Sequence, residues 1–385
     1  MPIPLNKTIA EIPASGIRRF FEIVAEKPDV ISLSVGEPDF DPPWPVCEAA
    51  IHALEKSLTH YSGNRGTPEL RQAISQYFKQ RFGVHYNSAT EILVTNGASE
   101  ACDLAIRATI NPGDEVLILT PTYVMYTPLI QLAGGIPVPI STLPNFQIPF
   151  AKLPKFLTKK TKALILNYPS NPTGKTLKLA ELTKIATFAY QNNLLLISDE
   201  IYAELTYAGQ HKMLASLPKI SKQTLTISGL SKFLAMTGFR LGFLAGPEKL
   251  ISAALKIHQY SAICANSISQ AAALEALRNY QNPTKKMLTE YKNRRDFVWR
   301  ELNKIGLKVL KPAGAFYFFI EVKKSTNLNG DEFSLQLLQQ KKIAVVPGSA
   351  FSPDCQNFVR LSYATNLTEL TLALQRIHAF ILSLK

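Results

Sequence analysis

Six short apolar runs between residues 91 and 246 constrain the fold of this chain most strongly. They are EILVT (91–95), EVLIL (115–119), KALILN (162–167), LLLISD (194–199), TLTIS (224–228) and LGFLAG (241–246). Their hydrophobic residues are continuous rather than alternating, which is typical of strands buried on both faces. Helix-like segments lie between several runs, at residues 99–110 and 178–193. The pattern therefore predicts an α/β fold with a mostly parallel sheet covered by helices.

Polar, small or aromatic residues follow five of these runs. The segments that follow them are NGAS, TPTY, NYPSNPTG, DEIYAE and GLSK. In open α/β sheets, ligands bind at the carboxyl ends of the strands. We therefore expect these segments to converge on one site.

The last hundred residues show a different pattern. Residues 297–322 predict a helix and then strands, KKIAVVPGSAF and FVRLSYA predict further strands, and residues 367–385 predict a closing amphipathic helix. These elements indicate a smaller α+β domain. With 385 residues, we expect a large domain at 45–285 and a small domain formed by 1–44 and 286–385.

The composition argues against several classes of protein. Hydrophobic residues make up 46% and charged residues 18%, as in ordinary globular chains, and no apolar run is long enough to span a bilayer. We see no signal peptide and expect a cytoplasmic location. The four cysteines are scattered, so we expect reduced thiols and no metal site. The net charge of +13 is dispersed in short clusters, which favours a solvated basic surface over nucleic-acid binding.

Two strand ends carry groups that suit an anion and a cation. In TNGASEA, the backbone N–H groups of Ala98 and Ser99 and the Ser99 hydroxyl would face an anion at a helix N-terminus. Simple helix capping is the alternative. Asp199 ends a wholly apolar strand, where a carboxylate needs a cation or a strong donor. A helix N-cap is an equally good interpretation of Asp199 from local sequence.

Two further polar residues lie in constrained surroundings. Asn171 precedes Pro172, which holds it out of helical geometry and could aim its amide at a ligand. A simple turn is the alternative. Arg360 lies inside an otherwise apolar strand, where a guanidinium usually needs an anion. That anion is either the carboxylate of a structural ion pair or a substrate carboxylate.

The segment SGLSKFLAMTGFRLG (228–242) places Lys232 and Arg240 among small and apolar residues. A lysine in an apolar site loses hydration, which lowers its pKa and makes its amine nucleophilic. The fork of an arginine suits phosphate. The alternative is two surface cations on a helix, and the three glycines of the segment weaken that alternative.

With these residues in place, the chain resembles the class I and II aminotransferases, the fold-type I enzymes that use pyridoxal 5′-phosphate (PLP). GLSKFLAMTGFRLG resembles the family's cofactor-lysine signature throughout. Eight further landmarks are SLSVGEPDF, HYSGNRGTPELR, VTNGASEA, PTYVMY, NYPSNPTG, SDEIYAEL, VVPGSAF and VRLSYA. They follow the family's order, and the resemblance covers nearly the whole chain.

The resemblance implies a role for each candidate near the cofactor ring. The catalytic residues would be Lys232, Asp199 and Tyr202. Lys232 would bind PLP as a Schiff base and move the proton between the substrate α-carbon and the cofactor. Asp199 would pair with the pyridine nitrogen and keep it protonated. Tyr202 and Asn171 would hydrogen-bond the phenolic oxygen, and Tyr123 would stack on the ring.

The resemblance also implies how the cofactor phosphate is held. Ala98, Ser99 and Arg240 would bind it. Tyr61 would reach the phosphate of the neighbouring subunit, which implies a homodimer with shared sites. Many relatives carry a phosphate-binding serine three residues before the lysine, where this chain has Gly229.

Two serines of the same segment could take the place of that missing serine. They are Ser228 and Ser231, and the sequence leaves the choice between them open. A second departure is Tyr123, where some relatives have tryptophan. Either ring can stack on the cofactor, so this difference leaves the expected role intact.

The implied reaction moves the amino group of an L-amino acid, most closely aspartate or an aromatic one, to a 2-oxo acid such as 2-oxoglutarate by a ping-pong mechanism. Arg360 would bind the substrate α-carboxylate, assisted by Asn171 and the backbone of Gly36. The segment around Ile12 to Ile17 and the partner subunit would form the distal side-chain pocket.

Other activities on the same scaffold remain open at this point. One is a C–S β-lyase or a related elimination enzyme, such as a cyclopropane-carboxylate synthase, because those enzymes share the lysine, aspartate, asparagine and arginine. Another is a PLP-fold regulatory module. Such regulators carry a DNA-binding domain before the PLP domain, and we expect no room for one before the motif that contains residue 35.

Overall fold

The computed structural model of the chain describes residues 3, 5–14, 16 and 29–384. Within these residues the strands are, in chain order, Ile31–Ser32 (β1), Ile92–Thr95 (β2), Glu115–Thr120 (β3), Ile136–Ser141 (β4), Thr161–Asn167 (β5), Leu195–Asp199 (β6), Thr224–Gly229 (β7), Gly242–Ala245 (β8), Tyr317–Glu321 (β9), Ile343–Ala344 (β10), Val346–Pro347 (β11) and Phe358–Ser362 (β12). The α-helices are Lys7–Glu11 (α1), Trp44–Glu55 (α2), Pro68–Phe82 (α3), Ala98–Arg107 (α4), Tyr126–Leu132 (α5), Leu179–Gln191 (α6), Glu248–Ser261 (α7), Ser267–Arg278 (α8), Gln281–Lys304 (α9), Lys323–Thr326 (α10), Gly330–Lys341 (α11) and Leu367–Ser383 (α12).

The central sheet has seven strands in the order β2-β8-β7-β6-β5-β3-β4. Strand β8 is antiparallel to both of its neighbours, and the other adjacent pairs are parallel. The mostly parallel sheet predicted from the apolar runs is thus confirmed, and each of the six runs forms a strand.

Adjacent residues of the central strands alternate between two apolar layers. Leu117 and Leu164 are register partners and belong to a buried cluster that includes α6. Ile118 and Ile165, the next pair, belong to a cluster on the other face that includes α4 and α7. Because both faces are covered, both positions of the period-two repeat must be apolar. This explains why the runs are continuous in the sequence.

Strand β4 was missed by the sequence prediction. Its sequence, IPVPIS, contains two prolines, which cannot donate a hydrogen bond to a neighbouring strand. The strand is tolerated because it lies at the edge of the sheet and pairs only with β3.

The later part of the chain forms smaller sheets. Strands β11, β12 and β9 make an antiparallel three-stranded sheet, and β1 pairs in parallel with β10. A separate apolar cluster joins β1, β9, β10 and β12 to α9, α11 and α12. The predicted domain boundaries stay a prediction, and the one at 285/286 lies inside α9.

Among the helices that the structure describes, none is both long and apolar enough to cross a membrane.

The strand directions bring several carboxyl ends to one edge of the central sheet. Strands β3, β5, β6 and β7 run in the same direction. Strand β2 shares it, since β2 and β7 are both antiparallel to β8. Strand β8 therefore begins at the edge where these strands end. The polar segments that follow the strands must lie there together.

Candidate active site

A cavity of about 520 Å³ lies at this edge of the central sheet. It is lined by all of the predicted site residues except Ser228 and Tyr61. The lining comes from the ends of five strands, β2, β3, β5, β6 and β7, from the segment after β1, and from β9 and β12. The convergence predicted from the strand ends is thus observed, while the chemical role of each residue stays a prediction.

The two remaining predicted residues lie elsewhere in the chain. Tyr61 is 81% exposed, in the segment between α2 and α3. Ser228 is buried within β7, where Phe243 of β8 is its register partner. Ser231, three residues later, lines the cavity. Of the two candidate serines, the geometry favours Ser231 as a ligand-facing group.

Lys232 lies in a turn after β7, and its Nζ donates a hydrogen bond to the Gly36 carbonyl at 2.7 Å. Burial lowers the pKa of the amine to about 8, with Glu37 opposing this shift and Arg240 and Arg360 adding to it. The interpretation of Lys232 as a surface cation on a helix is therefore wrong. Near pH 8 a large share of its amine is unprotonated and can act as a nucleophile.

Asp199 ends β6 and is 4% exposed. The Tyr126 hydroxyl donates to its Oδ2 at 2.6 Å, and the Ile201 backbone N–H donates to its Oδ1 at 3.1 Å. Burial raises the pKa of the carboxyl to about 6, and these two hydrogen bonds partly offset it. One oxygen thus orders the turn that follows β6, while the carboxylate also lines the cavity.

The turn between β2 and α4 presents free backbone donors to the cavity. Gly97 precedes α4 with φ of 87°, and no side chain caps the helix from that position. A Cβ on Gly242 would lie 2.4 Å from the Ala98 nitrogen, and one on Gly97 would lie 2.6 Å from Arg240 Nη2. Only glycine allows this approach. The helix N-terminus and the exposed Arg240 thus lie together at the cavity, and the expectation that they bind an anion stays a prediction.

The glycine at position 229 also has a steric explanation. A Cβ there would lie 2.9 Å from the Leu241 carbonyl oxygen and 3.0 Å from the Gly242 Cα. Both are backbone atoms at the start of β8, and they could move only if the pairing of β8 with β7 were disturbed. The position therefore has no room for the serine that many relatives carry.

Arg360 lies in β12 and is 2% exposed. Its Nη1 donates to Asn171 Oδ1 at 2.9 Å and its Nη2 to the Ser34 carbonyl at 2.6 Å. Its guanidinium carbon is 4.4 Å from the centroid of the Tyr317 ring. In the part of the chain that the structure describes, its Nε has no hydrogen-bond partner and no carboxylate lies within salt-bridge distance. A structural ion pair is thus absent from the described residues.

Three further residues support the site and were missed by the sequence reasoning. Tyr126 contacts Asp199, the Tyr317 hydroxyl lies 2.7 Å from the Tyr202 hydroxyl, and Asn167 Oδ1 accepts from the Asn171 N–H at 3.0 Å. Tyr126 and Asn167 stand inside segments that were singled out, PTYVMY and NYPSNPTG. Tyr317 belongs to the run AFYFFI, whose pattern is that of an ordinary core strand.

Comparison with known proteins places the chain in a family. The family model described as aminotransferase class I and II matches residues 28–377. The chain is 44% identical over 379 residues to a Bacillus subtilis protein named "Probable N-acetyl-LL-diaminopimelate aminotransferase", covering 98% of this chain and 96% of that protein. It is 44% identical over 367 residues to the aspartate aminotransferase of Pyrococcus abyssi, covering 94% of each. The solved structure of the aromatic aminotransferase from Pyrococcus horikoshii is 41% identical, with a TM-score of 0.90, covering 95% of this chain and 99% of that chain.

Proposed function

The chain belongs to the class I and II aminotransferase family, and we propose that it binds PLP and moves the amino group of an L-amino acid to a 2-oxo acid by a ping-pong mechanism. Members of this family use PLP. The observation that carries the proposal is the meeting of Lys232, Asp199 and Arg360 in one cavity with a helix N-terminus. Lys232 would supply an amine for the cofactor aldehyde, and the other groups would supply charges that complement the ring nitrogen, the phosphate and the substrate carboxylate.

The residues of the cavity fit PLP. The N-terminus of α4 and Arg240 offer donors for a phosphate. The lowered pKa of Lys232 suits reaction with an aldehyde. Asp199 is a buried carboxylate that needs a positive partner, and a protonated ring nitrogen would be one. The Tyr123 ring lies in the wall of the same cavity, where it could stack on a planar ligand.

In this mechanism the chain's own residues bind, orient and move protons. PLP, when bound, supplies an electron sink for the bond that breaks at the substrate α-carbon. Asp199 would hold a proton on the ring nitrogen. The amine of Lys232 would take the proton from the α-carbon and return it on the cofactor side. Arg360 would hold the substrate carboxylate and so fix which bond faces the ring.

We also propose a homodimer that shares its sites. Several large apolar side chains between residues 44 and 61 are exposed, among them Trp44 at 66%, Leu58 at 54% and Tyr61 at 81%, and Tyr260 nearby in the fold is 87% exposed. Asn64 Nδ2 donates to the Ile263 carbonyl at 2.7 Å and the Ser267 hydroxyl to the Leu58 carbonyl at 2.8 Å, so the chain after Tyr260 lies beside the segment that contains Tyr61. We take the exposed side chains of both segments as one surface. A second copy would cover this surface and bring Tyr61 to the partner's cavity.

The shared site can be tested by mixing inactive chains. In hybrids of Lys232→Ala and Tyr61→Ala subunits, one of the two sites would combine an intact Lys232 with an intact Tyr61. Co-expression of the two variants should therefore restore activity that neither shows alone. Failure to restore activity in hybrids that form would contradict a shared site.

For the amino donor we propose aspartate or an aromatic amino acid. The support is that two of the three relatives described above are named as an aspartate and an aromatic aminotransferase. Part of the segment expected to form the distal pocket, residues 15 and 17, lies outside the described residues.

A panel of L-amino acids against 2-oxoglutarate, assayed with the purified PLP-loaded protein, tests this. We expect glutamate formation with aspartate or with aromatic donors. Continuous release of pyruvate and ammonia without an oxo-acid acceptor would contradict transamination and indicate β-elimination.

A further inference from the structure

A carboxylate lies next to the proposed phosphate site. Glu100 belongs to the first turn of α4 and follows Ser99 directly. A negative charge at this place should repel a phosphate, so its presence needs a reason. Its two oxygens are both engaged. Oε2 accepts from the Asn96 backbone N–H at 2.5 Å, and Oε1 lies 2.9 Å from Nδ1 of His258.

We propose that Glu100 and His258 are positioning residues that hold the turn Asn96–Ser99 in the shape that binds the phosphate of the cofactor. This inference rests on the PLP binding proposed above. Neither residue need touch the phosphate, since Glu100 reaches back to the turn and His258 of α7 fixes Glu100 from the other side.

The His258 contact has a defined direction. Burial raises the pKa of Glu100, but hydrogen bonds from His258 and Asn96 outweigh burial and lower it, so the carboxylate is ionised at neutral pH. An ionised carboxylate only accepts, and the shared proton therefore belongs to Nδ1 of His258. His258 has 0% exposure, and its Nε2 has no hydrogen-bond partner among the described residues. A histidine buried with one unpaired nitrogen is costly, which argues for a role for the bond that it does make.

A second bond holds the same turn from the segment after α7. The Asn266 backbone N–H donates to Asn96 Oδ1 at 3.3 Å. Asn96 is thus held through its backbone by Glu100 and through its side chain by Asn266. The two bonds fix the residue that precedes Gly97, whose left-handed φ sets the direction of the free N–H groups of α4.

The test compares two probes that differ only in the phosphate, PLP and pyridoxal. The dissociation constant of each is measured on the full-length chain freed of cofactor, using the absorbance change on binding. For Glu100→Ala we expect PLP binding to weaken about ten- to a hundredfold, the value of a charge-assisted hydrogen bond, with pyridoxal binding unchanged. Glu100→Gln should weaken PLP binding less, in the same direction.

A matched control separates positioning from simple repulsion. Asp103 lies on the same helix and pairs with Arg107 at 3.1 Å on the surface. Asp103→Asn removes the same charge without touching the turn, so PLP binding should stay within about twofold of the original chain. If Glu100→Gln and Asp103→Asn both tighten PLP binding, repulsion is the dominant effect and the inference is wrong.

His258 gives an independent pair of variants. His258→Asn keeps a donor near the Nδ1 position and should retain most PLP affinity, whereas His258→Ala should lose about as much as Glu100→Ala. Equal weakening of PLP and pyridoxal binding that follows a fall in melting temperature would show a general structural role and overturn the inference.

If the original chain binds PLP and the Glu100 and His258 variants bind it equally well, the inference alone fails. If the original chain binds no PLP, the proposed function fails and the inference falls with it.

Discussion

The carboxylates at the end of β6 divide into two kinds, although they lie within six residues of each other. Glu200 and Glu204 are buried and do not line the cavity, and each has a basic side chain beside it. His211 contacts Glu200, and Arg81 Nε lies 2.9 Å from Glu204. Asp199 is equally buried and lines the cavity, yet no cation of the described residues lies within salt-bridge distance of it.

The buried arginines show the same division. Arg294 of α9 has Asp39 at 2.7 Å and Glu290 at 2.8 Å. Arg360 in the cavity is more deeply buried and has only neutral acceptors among the described residues. A buried charge without an opposite charge is costly, and stability alone would not retain it. The difference supports our proposal that ligands supply the opposite charges in the cavity, whereas elsewhere the chain's own residues supply them.

The largest expected effect is on the lysine of the cavity. Lys232→Ala removes both the amine that reacts with PLP and the group that moves the proton. We expect transamination to fall by about 10³-fold or more. The absorbance change on adding PLP should also disappear. If the Lys232→Ala variant kept its transamination activity or the absorbance change with PLP, the proposed role of Lys232 would be wrong.

Arginines in the two regions should respond differently to the same substitution. Arg360→Lys loses the planar fork and should lower kcat/KM for the amino donor about a hundredfold, mainly through KM. Arg294→Lys should leave KM within about twofold and instead lower stability by about 1–2 kcal/mol, since its partners are partly exposed. Steady-state kinetics and denaturant unfolding of both variants check this. A KM effect of equal size for Arg294→Lys would contradict the division.

The pH dependence of cofactor uptake tests the lowered pKa of the Lys232 amine. The folded-state pKa of Lys232 is about 8, below its ordinary value, so its proton is lost as pH rises through 8. The rate of PLP uptake by the cofactor-free chain should therefore rise about tenfold per pH unit below 8 and level off above it. Stopped-flow absorbance between pH 6 and 9 measures this. A rate that is flat across that range would mean that the amine is not the limiting group.

Carboxylates in the two regions should have opposite effects on stability. The folded pKa of Asp199 is about 6, above its ordinary 3.8, so its charge costs stability above pH 6 and this cost fades as pH falls through 6. Asp199→Asn should thus stabilise the cofactor-free chain at pH 8 by about 1–2 kcal/mol while abolishing activity. Glu204→Gln weakens its bonds to Arg81 and Tyr77 and should destabilise it by about 1–2 kcal/mol. Urea unfolding at pH 8 compares the two, and the same sign for both would remove the distinction.

The smallest effect concerns the tyrosine that supports Asp199. The Tyr126 hydroxyl bond lowers the pKa of that carboxyl, so Tyr126→Phe should raise it further. The acid limb of PLP affinity against pH should move upward by up to about one pH unit. Activity at pH 8 should change little. A downward shift would show that Tyr126 does not stabilise the charged form of Asp199.

Much of the fold can be predicted from the sequence, because a strand buried on both faces appears as a continuous run of apolar residues. The six runs give six of the seven strands of the central sheet almost residue for residue. The directions of these strands, in contrast, cannot be predicted from the sequence of the runs. Strand β8 is antiparallel, but LGFLAG looks like the parallel runs, since hydrophobicity records burial and not direction.

The site was predictable where a polar residue interrupts an apolar context. Lys232, Asp199 and Arg360 stand out for that reason. Tyr126 and Tyr317 do not stand out. A buried tyrosine whose hydroxyl hydrogen-bonds a site residue has the same local sequence pattern as one that only packs in the core. The choice of Ser231 over Ser228 needed coordinates as well, since it depends on how the turn after β7 directs each side chain.

A single-turnover half-reaction tests the central claim most directly. The PLP-loaded chain is mixed with aspartate or an aromatic L-amino acid in the absence of any 2-oxo acid, and the absorbance and released products are followed. We predict one equivalent of the matching 2-oxo acid per site, a stable pyridoxamine phosphate spectrum, and reversal on adding 2-oxoglutarate. Release of more than one equivalent with free ammonia, or no spectral change with any donor, would contradict the account.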